Sequence, residues 1–408
     1  MRKTILVLSI GLVMLAGTLF PFENDGLPLG DSKYKHSLMH LEADKMAATA
    51  SKQEVTVEDI VAANPKTRVF MVGEYHDSYL CHTLQRDFIE ALVKKNKKIV
   101  VGFEFFKRKD NEVLDQYRLG KIDEKELLEK TGWYAANGLN FGYTRLVMDV
   151  IRKHKIKVVG LNVPRKIVHK VSTMGFDRLP AEDKALFPTI NIPNRDHEYF
   201  IRSQFGDFSV QMDGWFQNMY MAQKCWDVIM AESMRRELDR KENRGHVGVI
   251  IAGSAHIDYK LGIPFRYKAA DKRSRITTIV PVYLPEKDDE DEDGEEHPML
   301  KMMAKSLKPA AVFSRGLADY VFTVTRDTTP YFPVLGVSGK IKDDLFVVSR
   351  VKKDSLADLN GIEKGDVILS IDGITIKSVE QLRTIFAAKT WDQELKMEIR
   401  KTVKIVKE

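Results

Sequence analysis

Short apolar runs recur along the first three quarters of the chain, and each gives way at its carboxyl end to polar groups. Val69–Val72 leads into Gly73-Glu74-Tyr75-His76-Asp77, and Ile99–Phe103 into Glu104. Val158–Leu161 leads into Asn162, and Val247–Ala252 into Gly253-Ser254-Ala255-His256. Such runs predict buried strands. Between them the apolar spacing is helical. Asp77 can cap a helix starting near Ser78, with Leu80, Leu84, Phe88 and Leu92 on one face. Glu112–Lys130 reads as one charged helix with Leu114, Leu119 and Leu127 on its apolar side, and Tyr143–Lys153 as another. Met212–Arg240 reads as one long helix on the spacing of Trp215, Met219, Ala222, Trp226, Ile229 and Met230. Strand–helix alternation of this kind predicts an α/β fold, a largely parallel sheet with helices on both faces. In such a sheet the carboxyl ends of the strands share one crevice, where ligands bind.

The rest of the chain changes character. Residues 21–50 read as a loosely structured lead-in. Asp288–Glu296 is almost wholly acidic, which predicts a solvated loop inserted before a last strand in Ala318–Val324. Thr328-Thr329-Pro330 punctuates a boundary. Beyond it, β-rich runs at Leu345–Val351, Val367–Ile371 and Leu395–Ile399, with a helix at Val379–Ala387, predict a small second domain over 331–408.

Composition narrows the partners. With 44% hydrophobic and 30% charged residues over 408 positions, the chain is globular and long enough for two domains. Its net charge of +6 is spread out, with no arginine-rich arm, which argues against nucleic acid. Arg2 and Lys3 precede an apolar stretch, Thr4–Phe20, so residues 1–20 are expected to be a signal peptide or an anchoring segment. Leu15-Ala16-Gly17 begins like a lipoprotein box but meets Thr18 instead of cysteine, which argues against lipid attachment. The expected location is the periplasm or cell envelope. Cys81 and Cys225 leave two readings open, a disulfide or two buried thiols.

The strand ends carry the candidate chemistry. His76 and His256 each follow a glycine by three positions, read here as tight turns with positive φ that project the imidazoles over the crevice. Glu74, His76, Glu104 and His256 can together ligate a divalent ion such as zinc or manganese. Without metal, the same four can supply a general base and acid to activate water. His82 and Arg86, one helical turn apart, can face the same pocket. Gln223 and Asp227 either wall that pocket or lie exposed on the long helix. Trp133, Tyr143 and Trp215 either line a cavity or belong to the core. Histidines 36, 40, 154, 169, 246 and 297 lack a strand-end setting and read as structural or surface residues.

Gly73-Glu74-Tyr75-His76-Asp77 with His82 and Gln85 resembles the opening signature of the ChaN-type haem-binding family of the Tiki superfamily. The resemblance continues through Phe103-Glu104, Gly160-Leu161-Asn162-Val163-Pro164-Arg165, Ala222-Gln223 with Asp227, Gly253–His256, Gly262-Ile263-Pro264 and Ala318–Val321, over residues 50–327. It implies haem binding at the bacterial envelope and a part in iron uptake. Relatives in the wider superfamily look like hydrolases, which implies as the alternative a metal-dependent hydrolase or peptidase. Carried over, the resemblance makes Glu74, His76, Glu104 and His256 the ligand or catalytic candidates. His82, Gln85, Asn162, Arg165, Gln223 and Asp227 are the pocket candidates. Haem or a divalent metal is the implied cofactor. The axial ligand stays open, and no C-x-x-C-H haem attachment site is present.

Residues 331–408 resemble a PDZ domain of the envelope-protease type, on Ser355–Ile362, Glu363–Ile368 and Ile371-Asp372-Gly373. That implies capture of protein C-termini as an added strand. Leu335, Gly336 and Val337 would form the carboxylate loop, and Ile385 or Phe386 would border the side-chain pocket.

Overall fold

Alternation along the central strands sends successive side chains to opposite faces of one sheet. Val69 and Met71 of β4 (Val69–Glu74) enter one apolar cluster, while Phe70 and Val72 enter another. The same split holds for β5 (Ile99–Lys107), β6 (Lys157–Asn162) and β7 (Val247–Gly253). The computed structural model describes residues 38–188, 190, 192–285, 310–326 and 330–401. The expected export segment at 1–20 and acidic loop at 288–296 lie outside the described residues. Among the described residues, no helix is long and apolar enough to cross a membrane.

Four further strands, β2 (Met46–Ala48), β3 (Gln53–Glu54), β8 (Ile276–Tyr283) and β10 (Tyr320–Val324), complete the main sheet. Its eight strands run in the order β3-β2-β10-β8-β4-β7-β5-β6. The six from β10 to β6 are parallel, and β2 and β3 close one edge antiparallel. One face packs the helices Arg165–Met174, Asp213–Asp239 and Ile263–Ala270. The other packs Tyr79–Lys94, Asn111–Arg118, Glu124–Thr131 and Phe141–His154. The expected α/β class is thus the observed one, with the second domain forming a separate antiparallel sheet.

Two expected elements are corrected, and of the two readings open for the cysteines the buried-thiol one is observed. The lead-in contains β1 (Leu38–Glu42) and β2; β1 pairs antiparallel with β9 (Ala310–Ser314). The single helix expected at Glu112–Lys130 is two. Gly120, at φ +72°, ends the first, and an Asp123–Glu126 capping box starts the second. Leu119, at this break, is exposed. Cys81 and Cys225 are both buried and unpaired, one in each of the two clusters on opposite faces of the sheet.

The second domain contains β11 (Val337–Lys342), β12 (Leu345–Val351), β13 (Val367–Ile371), β14 (Ile374–Thr375) and β15 (Met397–Arg400). The helix Val379–Ala387 lies where the sequence put it. β11 is an edge strand, paired only with β12 among the described residues.

Candidate functional site

β7 lies between β4 and β5, so Glu74 and Glu104 approach the end of β7 from either side. Glu74 gathers His76 and His82, and Glu104 gathers His256. Nδ1 of His76 donates to Oε1 of Glu74 at 3.0 Å. Oε2 of Glu74 accepts from the Gln85 amide at 2.7 Å, and Nδ1 of His82 lies 3.9 Å away. Nε2 of His82 donates to the backbone carbonyl of His76 at 3.2 Å, which locks the turn. Across the strand, Oε2 of Glu104 accepts from the Gly253 amide at 2.8 Å, and Oε1 lies 3.6 Å from Nε2 of His256. Nδ1 of His256 donates to Asp227 at 2.6 Å, and the Gln223 amide lies 2.9 Å from the same nitrogen.

Burial sets the electrostatics. Desolvation alone would drive the proton from His256, but the Glu104 and Asp227 carboxylates outweigh it and raise the ring to about 10. Burial pushes Glu104 upward, yet His256, His76 and the Gly253 amide hold it down at about 2. Glu74 is lowered, its burial outweighed by His82, His76 and Gln85. His76 is raised, since its bond to Glu74 and the charge of Glu104 outweigh burial. At neutral pH Glu74 and Glu104 are therefore ionised and His256 is a fixed imidazolium.

The two glycines act by space and not by turn geometry, which corrects the sequence reading. Gly253 has φ −54°, and a Cβ there would lie 2.8 Å from Cε1 of His76. A Cβ at Gly73 would lie 2.8 Å from the Ser254 hydroxyl. Only a bare backbone lets the two strand ends come this close.

The structure brings together Glu74, His76, His82, Gln85, Glu104, Gln223, Asp227 and His256. Asn162 supports them indirectly, its amide donating to the Glu104 carbonyl at 2.7 Å. Arg165 is exposed, reaching the Ala136 carbonyl at 3.5 Å, and is not part of the buried set. Arg86 also turns away, pairing with Asp87 at 2.8 Å. Trp133 is core. Sequence reasoning missed His197. It is wholly buried, 3.5 Å from the second Asp227 oxygen, and burial lowers it to about 4, so it is neutral. It sits in the helix Arg195–Ser203, far from any strand end, and gives no local signal. Among the described residues, no group of three His, Cys, Asp or Glu side chains is arranged to hold a metal ion.

In the second domain the proposed carboxylate loop is anchored by its own carbonyls. The Leu335 carbonyl accepts from the Ala357 amide at 2.9 Å, and the Gly336 carbonyl from the Lys352 amide at 2.8 Å. Gly336 has φ +81°, a conformation that favours glycine. Ile385 is half-buried beside Leu382 and Phe386.

Residues 60–266 match the family described as haem-binding uptake, Tiki superfamily, ChaN. Residues 347–401 match a PDZ domain family. No curated protein matches the chain. Among solved structures, ChaN of Campylobacter jejuni with cofacially bound haem is 16% identical, with a TM-score of 0.49 over 68% of this chain and 95% of its own. An erythromycin esterase mutant, EreC, in its open conformation is 10% identical, with a TM-score of 0.37 over 70% of this chain and 97% of its own. A Bacillus cereus protein is 11% identical, with a TM-score of 0.36 over 70% of this chain and 95% of its own.

Proposed function

Because the chain belongs to the ChaN-type haem-binding uptake family of the Tiki superfamily and carries a PDZ domain behind that region, we propose that it is an exported envelope protein that binds haem for iron uptake and holds partner C-termini on its PDZ domain. The single observation that carries the haem reading is the setting of His76. Its Nδ1 is tied to Glu74, and its Nε2 has no hydrogen-bond partner among the described residues. Its side chain is 20% exposed, whereas Glu74, Glu104, His82 and His256 are at 5% or less. A histidine held by a carboxylate through one nitrogen, with no hydrogen-bond partner on the other among the described residues, suits an iron ligand. Phe105, its ring 4.8 Å from the His76 ring and nearly perpendicular to it, offers an apolar neighbour. Bound haem would supply the iron; His76 would hold it, and Glu74 would fix the tautomer.

The divalent-metal reading has less support, since the carboxylates are already engaged by imidazoles and amides. A second reading rests on the same dyad: Glu74 and His76 as a base activating water, with the His256 imidazolium nearby to stabilise negative charge. Export rests on the apolar segment at 1–20. Peptide capture rests on the free edge of β11 beside the anchored Leu335–Val337 loop.

Titrating purified protein with haemin tests the first reading. Binding gives a shifted Soret band that survives desalting and is lost in His76→Ala. No shift at a stoichiometric ratio overturns haem binding and leaves the hydrolase reading to be tested by activity that depends on His76.

A further inference from the structure

A cleft of about 750 Å³ opens at the amino-terminal ends of β4 and β8, at the opposite end of the sheet from Glu74 and His256. Five cationic residues line it (Lys66, Lys260, Lys268, Arg273 and Arg275) and no Asp or Glu does. The chain as a whole carries 64 basic and 58 acidic residues, so five to none departs from its average surface. A second cleft, of about 650 Å³, beside the starts of β5 and β6 shows the ordinary case. It too is basic, but Asp115 sits in it and takes Arg118 at 2.6 Å and Lys157 at 3.0 Å.

In the first cleft the neutralising partners are few. Lys260 pairs with Asp319 at 2.6 Å, and Lys268 donates to the carbonyls of Lys272 and Ser274. Asp271 is turned to the Ser274 hydroxyl and to the amides of Arg273 and Ser274. Lys66, Arg273 and Arg275 are exposed and have no carboxylate partner among the described residues. Unpaired like charges around a concave wall focus an attractive field for an anion. Two guanidinium groups add forked donors suited to phosphate oxygens. Phe265 and Pro264 supply an apolar side to the same cleft.

We propose that this cleft is an anion site for a compact ligand carrying two or more phosphate groups, either free in solution or as the headgroup of a lipid. It is independent of the haem site and does not rest on that reading.

The test uses the full chain and inorganic pyrophosphate, measured by calorimetry at low ionic strength. Saturable binding is expected, weakened at least tenfold in R273Q/R275Q, since each lost charge-assisted contact is worth about a factor of ten. The control K98Q/K155Q removes the same charge from exposed positions at the second cleft and is expected to bind as the wild type does. Unchanged melting temperatures show that both variants fold. A second arm uses phosphatidylcholine vesicles with and without a diphosphate-bearing lipid. Binding that requires that lipid and is lost in R273Q/R275Q assigns the site to headgroups; binding to free pyrophosphate alone assigns it to soluble ligands. Absence of saturable binding in both arms, or equal weakening in both double variants, overturns the proposal.

Discussion

Tyr79 and Tyr331 stack face to face, their ring centroids 3.5 Å apart and their planes 11° from parallel. Tyr79 opens the helix that carries His82 and Gln85, and Tyr331 lies just before Leu335–Val337 at the start of the PDZ domain. The next residue, Phe332, packs edge-on against Tyr143 at 4.9 Å, and Tyr143 lies 5.6 Å from the His82 ring. Arg383 donates to the Tyr134 carbonyl, and Arg145 to the Ala387 carbonyl, so the PDZ helix is also held from the first domain. The two domains are thus packed together through an aromatic linker that reaches the edge of the candidate site.

Removing the buried ring at this junction should separate the domains. Phe332 is 7% exposed, and Phe332→Ala is expected to cost about 3–5 kcal/mol of packing. Thermal unfolding should split into two transitions, and protease should cut near 326–337 sooner than in the wild type. A single unchanged transition with unchanged cleavage would mean that the linker carries no coupling.

Gly253 tests the packing of the site itself. Gly253→Ala places a methyl group against His76, a backbone-anchored clash that should displace the ring and cost about 1–3 kcal/mol. Haemin affinity should fall at least tenfold while the far-UV spectrum stays native. Wild-type affinity in this variant would show that the position of His76 does not matter to the ligand.

Much of this site was legible because strand ends converge, whatever their separation in sequence. The four groups at positions 74, 76, 104 and 256 meet for that reason alone. Their partners were less legible. Asp227 stood on the long helix at a spacing equally consistent with exposure, and only packing against His256 decides it. His197 had no local signal. The reason for the glycines was misread because a close approach between strand ends leaves no mark in one strand's sequence. The early strand Leu38–Glu42 did leave one, the period-two burial of Met39 and Leu41, which its polar surroundings obscured. The break at Gly120 was likewise written in the chain, since a glycine followed by Asp123 and Glu126 is a stop and a start.

Stability should follow pH through the Glu104–His256 pair. His256 ordinarily titrates near 6.5 and here is raised to about 10, so its contribution is whole below 6.5 and is lost as pH climbs through 10. Glu104 is lowered from 4.5 to about 2, so its contribution is whole above 4.5 and is lost as pH falls through 2. Both are intact between 4.5 and 6.5. His256→Gln leaves two buried carboxylates short of a partner and should cost about 3–5 kcal/mol in that window. The gap in melting temperature between wild type and variant should be widest at about pH 5.5 and narrow toward both extremes. A gap that stays constant across the range would remove the ion pair as its source.

Gly336 decides whether the second domain reads carboxyl termini. At φ +81° a side chain is strained, and a Cβ would also run into Ser355, so Gly336→Ala should distort the loop that faces a peptide's end. A carboxylate needs donors, so the loop's backbone amides would hold a peptide's end, while the carbonyls of Leu335 and Gly336 tie the loop to the domain. Peptides from a C-terminal library should therefore bind the wild type, lose at least tenfold in affinity when their ends are amidated, and bind Gly336→Ala no better than the amidated forms bind the wild type. Equal affinity for free and amidated ends would turn the edge of β11 into a general strand acceptor and not a reader of termini.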